Sequence, residues 1–428
     1  MEVIDVSRQK KYKTRNYVKQ FIIVCSIILI NFFYHRSNTR VNTLNNEYIN
    51  MNKSDWNNEQ EVIDKFDKMQ EYLIINENGI LITDKQFFKK TDTPKISIVI
   101  TVYNGELFIR QSVRSIQNQN FTDVEIIIVD DSSKDNSVPV IKGLMKEDPR
   151  IILLTNKENK GMLYSRARGI LNSKGKYILI LDVDDMYSDK NCFSLLYEEA
   201  KKNDLDILGF SSIISTLNIT NKKDRLIYRY FSTPILYQPN ISSMMYEVIG
   251  ENVKRKAGVI WCYMFKTEFF KSVIMNEIDP KYLNRIMNAH DDFLLLFILT
   301  RKAKSYKCIK QIVHLYRRKI PTISIKKYNE DKQKRAKLYF CKSYLYYLEF
   351  IFLKTENNYK DKLIATNELS KWYLDNKNCN NNSNIIKQGI YVCNLFVNNS
   401  YVNKATKYKI ILFLKKLNKS FNNTNHFY

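Results

Sequence analysis

The sequence predicts an α/β protein built on a doubly wound, mostly parallel sheet with helices on both faces. The run Tyr177–Leu181 is apolar at every position, and Val124–Val129 is apolar apart from Glu125, which is typical of strands buried on both faces of such a sheet. Helical segments of roughly 10–15 residues separate these runs, as in repeated strand–helix–strand units. Both runs end at clustered carboxylates, and open α/β sheets bind ligands at that end of their strands.

The elements from residue 95 onward follow in a regular order. Predicted strands lie at Ile96–Thr101, Val124–Val129, Ile151–Thr155, Tyr177–Leu181 and Leu205–Phe210. The first predicted helix has apolar positions at Leu107, Ile109, Val113 and Ile116, and later ones cover Asp135–Lys146, Tyr164–Asn172 and Cys192–Lys202. Residues 213–258 do not continue this alternation of strands and helices. The second set of elements comprises Val259–Phe265, a helix from Thr267, the stretch His290–Phe297, and Ile312–Arg317.

The chain divides into five predicted segments. Residues 1–20 form a basic tail, and residues 21–34 form an apolar signal anchor that the preceding positive charge orients with a cytoplasmic N-terminus. Residues 35–93 form a polar, Asn-rich stem, residues 94–328 the α/β domain, and residues 329–428 a helical extension. We therefore predict a single-pass type II membrane protein of the Golgi or ER, held by its N-terminal segment, with a lumenal globular domain. A cleaved signal peptide and a buried core helix are the alternatives.

The net charge of +24 over 428 residues would ordinarily suggest nucleic acid or an anionic membrane as a partner. The lysines are scattered along the whole chain, and no nucleic-acid-binding signature or zinc-ligand spacing accompanies them. The sequence therefore predicts no nucleic-acid partner. The seven cysteines contain no Cys-x-x-Cys pair and do not form a regular disulfide framework.

The apolar run Tyr177–Leu181 stops at three carboxylates, Asp182, Asp184 and Asp185. Carboxylates this close repel one another unless a cation lies between them. Their hard oxygen ligands suit Mg²⁺ or Mn²⁺, especially when the ion is shared with substrate phosphates. A solvated acidic turn after a strand is the alternative. A second strand that ends in acids favours one shared site at this edge of the sheet.

Five motifs follow one another between residues 95 and 324. In order they read SIVITVYN, EIIIVDDSSKDNS, NKGMLYSRARGI, GKYILILDVDD and HDDF. Their order and spacing resemble the family 2 glycosyltransferases of the GT-A fold. The resemblance implies a hexosyltransferase-like enzyme that inverts the anomeric carbon and uses a nucleotide-sugar donor and a divalent cation, Mn²⁺ or Mg²⁺.

The resemblance also implies which residues bind the nucleotide. Thr101, Tyr103 and Asn104 end the first strand, in the loop that holds the nucleotide. Asp131 matches the carboxylate that contacts the nucleoside, and Asp130 lies beside it. A helix N-cap is the alternative role for Asp131, because capping residues surround it.

Two arginines and the acids that follow the 177–181 run match the family's diphosphate and metal site. Arg166 falls where the family has an Arg near the diphosphate, with a surface helix position as the alternative. Asp182, Asp184 and Asp185 match the D-x-D motif and the following Asp, which hold the cation and face the ribose and diphosphate. Arg317 lies in a basic segment that resembles a strand and loop near the diphosphate.

The resemblance places the catalytic base in the motif HDDF. Asp292 matches the carboxylate that deprotonates the acceptor hydroxyl, and Asp291 replaces the family's usual Glu. A general base must lie within hydrogen-bond reach of the proton that it removes. The alternative is that both are first-turn acids stabilised by the helix dipole.

Together these features predict a membrane-anchored glycosyltransferase. Its partners are a nucleotide-sugar donor, expected to be UDP-linked, and a glycan, protein or lipid acceptor. A sugar-phosphate nucleotidyltransferase is one alternative, although Tyr103–Leu107 contains one glycine and no lysine where that class needs a Gly-rich basic loop. A non-catalytic, membrane-tethered sugar-binding or scaffold protein on the same fold is the other.

Overall fold

The structure of the chain is a computed structural model. It describes residues 88–216, 227–228, 233, 235–238, 240–249, 252–255, 259–318, 330–354, 361, 364–365, 368–369, 383–398, 404, 407–408, 410–412 and 414–415. The predicted basic tail, the anchor at residues 21–34 and nearly all of the stem lie outside these residues. Residues 83–428 form one compact unit.

The described part contains eleven strands and nine α-helices with defined bounds, which alternate from β1 to β4, together with further helical residues between 361 and 415. The strands are β1 Ile96–Val102, β2 Val124–Asp130, β3 Ile151–Thr155, β4 Tyr177–Asp182, β5 Met186–Tyr187, β6 Ile207–Thr216, β7 Ile227–Tyr228, β8 Tyr246–Ile249, β9 Asn252–Arg255, β10 Tyr263–Lys266 and β11 Tyr306–Arg318. The helices are α1 Ile109–Gln117, α2 Ser137–Glu147, α3 Met162–Asn172, α4 Cys192–Lys202, α5 Thr267–Glu277, α6 Pro280–Leu283, α7 Asp291–Lys302, α8 Glu330–Lys354 and α9 Ser383–Val397. Short 3₁₀ turns cover Asn240–Met244 and Ile260–Cys262.

One mixed sheet organises the molecule, with strand order β3-β2-β1-β4-β10-β6-β11-β5 and β7 paired to β6. The pairs among β3, β2, β1 and β4 are all parallel, as the buried apolar runs predicted. Beyond β4 the sheet departs from the predicted pattern. Strand β10 runs antiparallel to both β4 and β6, and only β6 and β11 are parallel again. The α/β prediction is therefore confirmed, whereas the mostly parallel description holds for the first half of the sheet.

The parallel strands are mainly apolar on both sides because each face of the sheet covers a separate hydrophobic core. Along β4, Ile178 and Ile180 join one core with helices α3, α5, α7 and α8. Leu179 and Leu181 point to the other core, which α1, α2 and α4 cover. Successive residues of a strand face opposite sides, so a strand buried on both sides needs an unbroken apolar run.

The C-terminal helices pack on the same core as the sheet. Buried residues of α8 and α9, including Leu345, Leu348 and Phe396, join the core that contains Leu294 and Leu295 of α7. Ion pairs join these regions as well, since Arg285 pairs with the buried Glu349 at 2.8 Å. Residues beyond the predicted α/β domain thus complete one of its two cores.

We expect Gly175 to be required for the close approach of β1 to the turn before β4. A Cβ atom at this position would lie 2.5 Å from Ser97 N and 2.6 Å from Ile96 C. Because backbone atoms cannot move aside cheaply, Gly175→Ala should lower the free energy of unfolding by about 1–3 kcal/mol. Urea denaturation followed by circular dichroism measures it.

Gly143 supplies the matched control for this substitution. It lies within α2, and a Cβ there meets nothing within 4 Å. Gly143→Ala should therefore raise the free energy of unfolding by about 0.5–1 kcal/mol, because alanine restricts the unfolded chain. Equal effects of the two substitutions would contradict the steric argument.

Candidate active site

The two acidic motifs meet at one edge of the sheet. In the register of the parallel strands, Thr101 pairs with Val129 on one side and with Asp182 on the other. The next pair joins Val102 to Asp130. The carboxyl ends of β2, β1 and β4 are therefore adjacent, and this is the edge where α/β sheets bind ligands.

A buried arginine connects the end of β4 to the start of α7. Arg166 projects from α3, and its side chain is 3% exposed. Its Nη2 donates to Asp182 Oδ1 at 2.6 Å, and its Nη1 donates to Asp291 Oδ2 at 2.5 Å. The alternative of a surface position for Arg166 was therefore wrong. The guanidinium fork holds the D-x-D strand and the HDDF motif in one cluster.

The charges in this cluster determine the proton affinities of its members. Burial alone would lower the pKa of Arg166, but the charges of Asp291 and Asp182 outweigh it and raise the pKa above its usual range. Burial raises the pKa of Asp291, which Arg166 opposes. Burial and the neighbouring charge of Asp291 raise the pKa of Asp292 to about 8. Asp292 is half-buried. The hydrogen bond from Arg166 goes to its neighbour Asp291.

The turn after β4 directs its acids to different surroundings. Asp184 is half-exposed, whereas Asp185 is fully buried, and its Oδ2 lies 3.3 Å from Nε2 of His314 on β11. Ser112 Oγ of α1 donates to the backbone oxygens of Val183 and Asp185 at 2.6 Å each, which fixes the turn. Burial raises the pKa of Asp185, while His314 opposes the rise.

The donor set at this turn suits a cation shared with a substrate better than one enclosed by protein. Among the residues that the structure describes, no three His, Cys, Asp or Glu side chains form a metal-binding group. Asp182 is engaged by Arg166 and Asp185 lies in the interior, whereas Asp184 is half-exposed at the surface of the turn. Mg²⁺ commonly binds through one or two carboxylates together with substrate phosphates, so this set fits such an ion.

Asp131 organises the loop that precedes α3. Its carboxylate accepts hydrogen bonds from Asn156 Nδ2 at 2.7 Å and from the backbone N–H groups of Lys160 and Gly161 at 2.8 Å each. The Asp131 carboxylate, which was predicted to contact the nucleoside, thus accepts three hydrogen bonds from the protein itself. Asp130 is buried beside it and accepts from the N–H of Ser133 at 3.2 Å.

The loop after β1 presents the predicted nucleotide-binding residues at the surface. Tyr103 is 50% exposed, and Thr101 is half-buried in the strand. Asn104 has a positive φ of 54°, and its Oδ1 accepts from Lys134 N at 2.8 Å. Its own N–H donates to Ser133 Oγ at 3.0 Å, so the loops after β1 and β2 form one rim.

Strand β11 carries the predicted Arg317, whose side chain lies outside the described part of the chain. On the same strand, the rings of His314 and Tyr316 stack on Trp261 with centroid distances of 4.3 and 5.3 Å. Trp261 is 6% exposed and packs in the hydrophobic core. The sequence analysis missed the contact between His314 and Asp185, because pairing of β11 with β5 creates it.

A second contact that the sequence analysis missed supports the start of α7. His290 precedes the helix with a positive φ of 61°, and its ring stacks on Tyr344 of α8 at 4.4 Å. Tyr344 donates in turn to the buried Glu368 at 2.8 Å. The sequence predicted a helical extension over residues 329–428, but nothing in it identified this partner. The C-terminal helices therefore help to fix the backbone that carries Asp291 and Asp292.

Comparison with known proteins identifies the family. Residues 97–265 match the family model described as Glycosyl transferase family 2. The uncharacterized glycosyltransferase EpsJ of Bacillus subtilis is 27% identical over 261 residues, which cover 59% of this chain and 71% of EpsJ. A Campylobacter jejuni enzyme, GalNAc(5)-diNAcBac-PP-undecaprenol beta-1,3-glucosyltransferase, is 32% identical over 117 residues, or 27% of this chain and 38% of that enzyme. The match over residues 97–265 confirms the resemblance seen in the motifs of this part of the chain.

The fold comparison agrees with this family. The crystal structure of S. aureus TarS 1-349 in complex with UDP-GlcNAc matches 77% of this chain and 89% of the TarS chain. The TM-score is 0.50 at 14% sequence identity, so the likeness concerns the fold alone. The core is thus a mixed α/β, GT-A-like fold with flanking helices.

The predicted location as a single-pass type II protein of the Golgi or ER was wrong. In the described ranges, no helix is long and apolar enough to cross a membrane. The relatives named above are bacterial, and bacterial cells have neither organelle. Residues 21–34, on which the prediction rested, lie outside the described part of the chain.

We expect the Arg166 bridge to dominate the stability of the site. Arg166→Gln would leave the carboxylates of Asp182 and Asp291 close together without a cation. Its free energy of unfolding should fall by about 3–5 kcal/mol, the cost of breaking a buried ion pair. Urea denaturation followed by circular dichroism measures the change.

Arg168 on the same helix provides the control. Its Nη1 donates to Thr155 O and Asn156 Oδ1 at 2.8 and 2.6 Å, both uncharged acceptors. Arg168→Gln should therefore cost only about 1 kcal/mol per lost hydrogen bond. If the two variants unfold at the same urea concentration, the bridge does not have the predicted role.

Proposed function

We propose that this chain transfers a sugar from a UDP-linked donor to an acceptor hydroxyl with inversion, with Asp292 as the general base. The observation that carries the proposal is the Arg166 bridge, which joins the D-x-D strand to the helix that begins at Asp291. In a transferase that works by in-line displacement, the residues that bind the sugar donor must lie next to the base that acts on the acceptor hydroxyl. The UDP-GlcNAc complex of the TarS fold supports a UDP-sugar as the donor.

The two acids of the HDDF motif have different proposed roles. Asp291 is the counter-ion of Arg166, since its Oδ2 accepts from that guanidinium at 2.5 Å. Asp292 is the base, because Arg166 holds its neighbour Asp291 while Asp292 is half-buried in the first turn of α7. Its pKa is raised to about 8, so the carboxylate form that accepts the proton becomes more populated as the pH rises towards 8. It removes the proton of the acceptor hydroxyl while the acceptor oxygen attacks the anomeric carbon. The bond to the nucleoside diphosphate then breaks on the opposite face, which inverts that carbon.

The proposed donor side uses the acids and loops at the carboxyl ends of β1, β2 and β4. Asp184 would hold a divalent cation, and such an ion supplies positive charge opposite the leaving diphosphate when it is bound. Tyr103 and Asn104 line the rim for the nucleotide, with Asp130 as the acid at the end of β2. Asp131 acts indirectly, since its three hydrogen bonds hold the loop before α3.

The experiment that tests the proposed function is a transfer and donor-hydrolysis assay with a panel of nucleotide sugars and Mn²⁺. We expect turnover with a UDP-sugar. Formation of a sugar–nucleotide bond from a sugar phosphate and a nucleoside triphosphate would indicate a nucleotidyltransferase instead. Binding of nucleotide sugars without turnover of any of them would favour a sugar-binding protein.

Replacing the proposed base should separate chemistry from donor binding. Asp292→Asn should lower kcat by roughly 10²–10⁴-fold, the usual contribution of a positioned base. The Kd for UDP, measured by calorimetry, should stay nearly unchanged, because Asp292 does not face the nucleotide in this proposal.

Glu268→Gln controls for the helix-dipole alternative. Glu268 is exposed in the first turn of α5, just as Asp292 lies in the first turn of α7. Loss of a first-turn acid from α5 should leave kcat unchanged. Normal turnover by Asp292→Asn would refute the base assignment.

Removing the proposed metal ligand should abolish the effect of Mn²⁺ on nucleotide binding. In the intact protein, Mn²⁺ should lower the Kd for UDP, and Asp184→Ala should weaken binding in Mn²⁺ at least roughly tenfold. In EDTA the two proteins should bind UDP alike. Asp189→Ala, an exposed acid just after the same turn, should keep the Mn²⁺ effect. An unchanged Mn²⁺ effect in Asp184→Ala would exclude this residue as a ligand.

A further inference from the structure

The last helical residues that the structure describes present an apolar face to solvent. All described residues between 404 and 415 are helical. On the inner side, Ile410 is 5% exposed and Leu414 packs partly against the core. The outer side carries three large apolar side chains, with Tyr408 64%, Ile411 38% and Leu412 42% exposed.

These apolar residues and two lysines share one stripe of the helix. Lys404, Tyr408, Ile411, Leu412 and Lys415 are all exposed. At 3.6 residues per turn, spacings of 4, 7, 8 and 11 residues from Lys404 fall on one face. The lysines stand at the two ends, about 16 Å apart at 1.5 Å per residue, and the apolar side chains lie between them. We call these five residues the terminal stripe.

The sequence from residue 376 to the end carries charged side chains of a single sign. Asp375 is the last acidic residue of the sequence, and the 53 residues after it contain no Asp or Glu. They contain eight lysines: Lys377, Lys387, Lys404, Lys407, Lys409, Lys415, Lys416 and Lys419. A helix face with an apolar centre and cationic ends complements a surface that is apolar beneath and anionic above.

We propose that the terminal stripe binds the surface of an anionic lipid bilayer. Tyr408, Ile411 and Leu412 enter the boundary between headgroups and acyl chains, and Lys404 and Lys415 contact acidic headgroups. The helix lies in the plane of the interface and does not cross the bilayer. This inference depends on neither the donor nor the base proposed above, because no residue of the stripe belongs to that site.

Hydrogen exchange with mass spectrometry on the full chain tests the proposal peptide by peptide. Vesicles of phosphatidylcholine with phosphatidylglycerol should slow amide exchange in peptides that cover residues 404–415, whereas pure phosphatidylcholine vesicles should not. The triple variant Tyr408→Ser/Ile411→Ser/Leu412→Ser should lose this protection. Lys404→Gln/Lys415→Gln should raise the lipid concentration for half-maximal protection roughly tenfold or more.

Matched substitutions elsewhere separate the stripe from general surface properties. Met275→Ser removes another large exposed apolar side chain, which is 64% exposed on α5. Lys201→Gln/Lys202→Gln removes two exposed charges from the end of α4. Both variants should retain protection by anionic vesicles. Far-ultraviolet circular dichroism spectra and urea midpoints should be alike in all variants, which verifies that they are folded.

Three results would overturn the proposal. One is unchanged exchange in residues 404–415 when anionic vesicles are added. Another is equal protection by the triple variant. The third is protection that rises with protein concentration in the absence of lipid and disappears in the triple variant, which would assign the stripe to a contact between two copies of the chain.

Discussion

The ion bridge from Asp182 through Arg166 to Asp291 is the interaction on which the site depends. Three different elements contribute to it, namely the end of β4, the middle of α3 and the start of α7. Two carboxylates this close repel one another in the interior, so the guanidinium must be present before the other parts of the site can assemble. Its planar fork donates to both acids at once, which the single ammonium of a lysine cannot do with the same geometry.

The sequence predicted what depends on local pattern and could not predict what depends on distant pairing. Unbroken apolar runs predicted the parallel strands, and the acids after β2 and β4 correctly indicated one shared edge. The antiparallel insertion of β10 could not be predicted, because a run apolar at every position fits either direction when both faces are buried. The sequence also could not predict that Asp184 and Asp185 have different surroundings, because residues far along the chain, on β11 and α1, create them.

The C-terminal helices matched no motif in the sequence, yet they support the start of the proposed base helix. His290 adopts a left-handed backbone conformation that is unfavourable for a residue with a Cβ atom. Its ring is held against Tyr344, which is itself fixed by Glu368. The strain at His290 is therefore balanced by packing from α8, and that packing orients the first turn of α7. This dependence explains why the α/β unit and the following helices share one core.

The acids at the carboxyl ends of β2 and β4 and at the start of α7 differ in how closely the protein itself holds them. Several acids at the strand ends are held by the protein, since Asp131 accepts three hydrogen bonds, Asp182 pairs with Arg166 and Asp185 lies against His314. The start of α7 repeats this division, with Asp291 bound to Arg166 and Asp292 half-buried beside it. In the proposed roles of Asp184 and Asp292, the protein-held acids beside them fix the backbone, so that no reorganisation is needed before a ligand binds. Such preorganisation is what a transferase needs, because the charge that develops on a departing diphosphate must meet groups already in place.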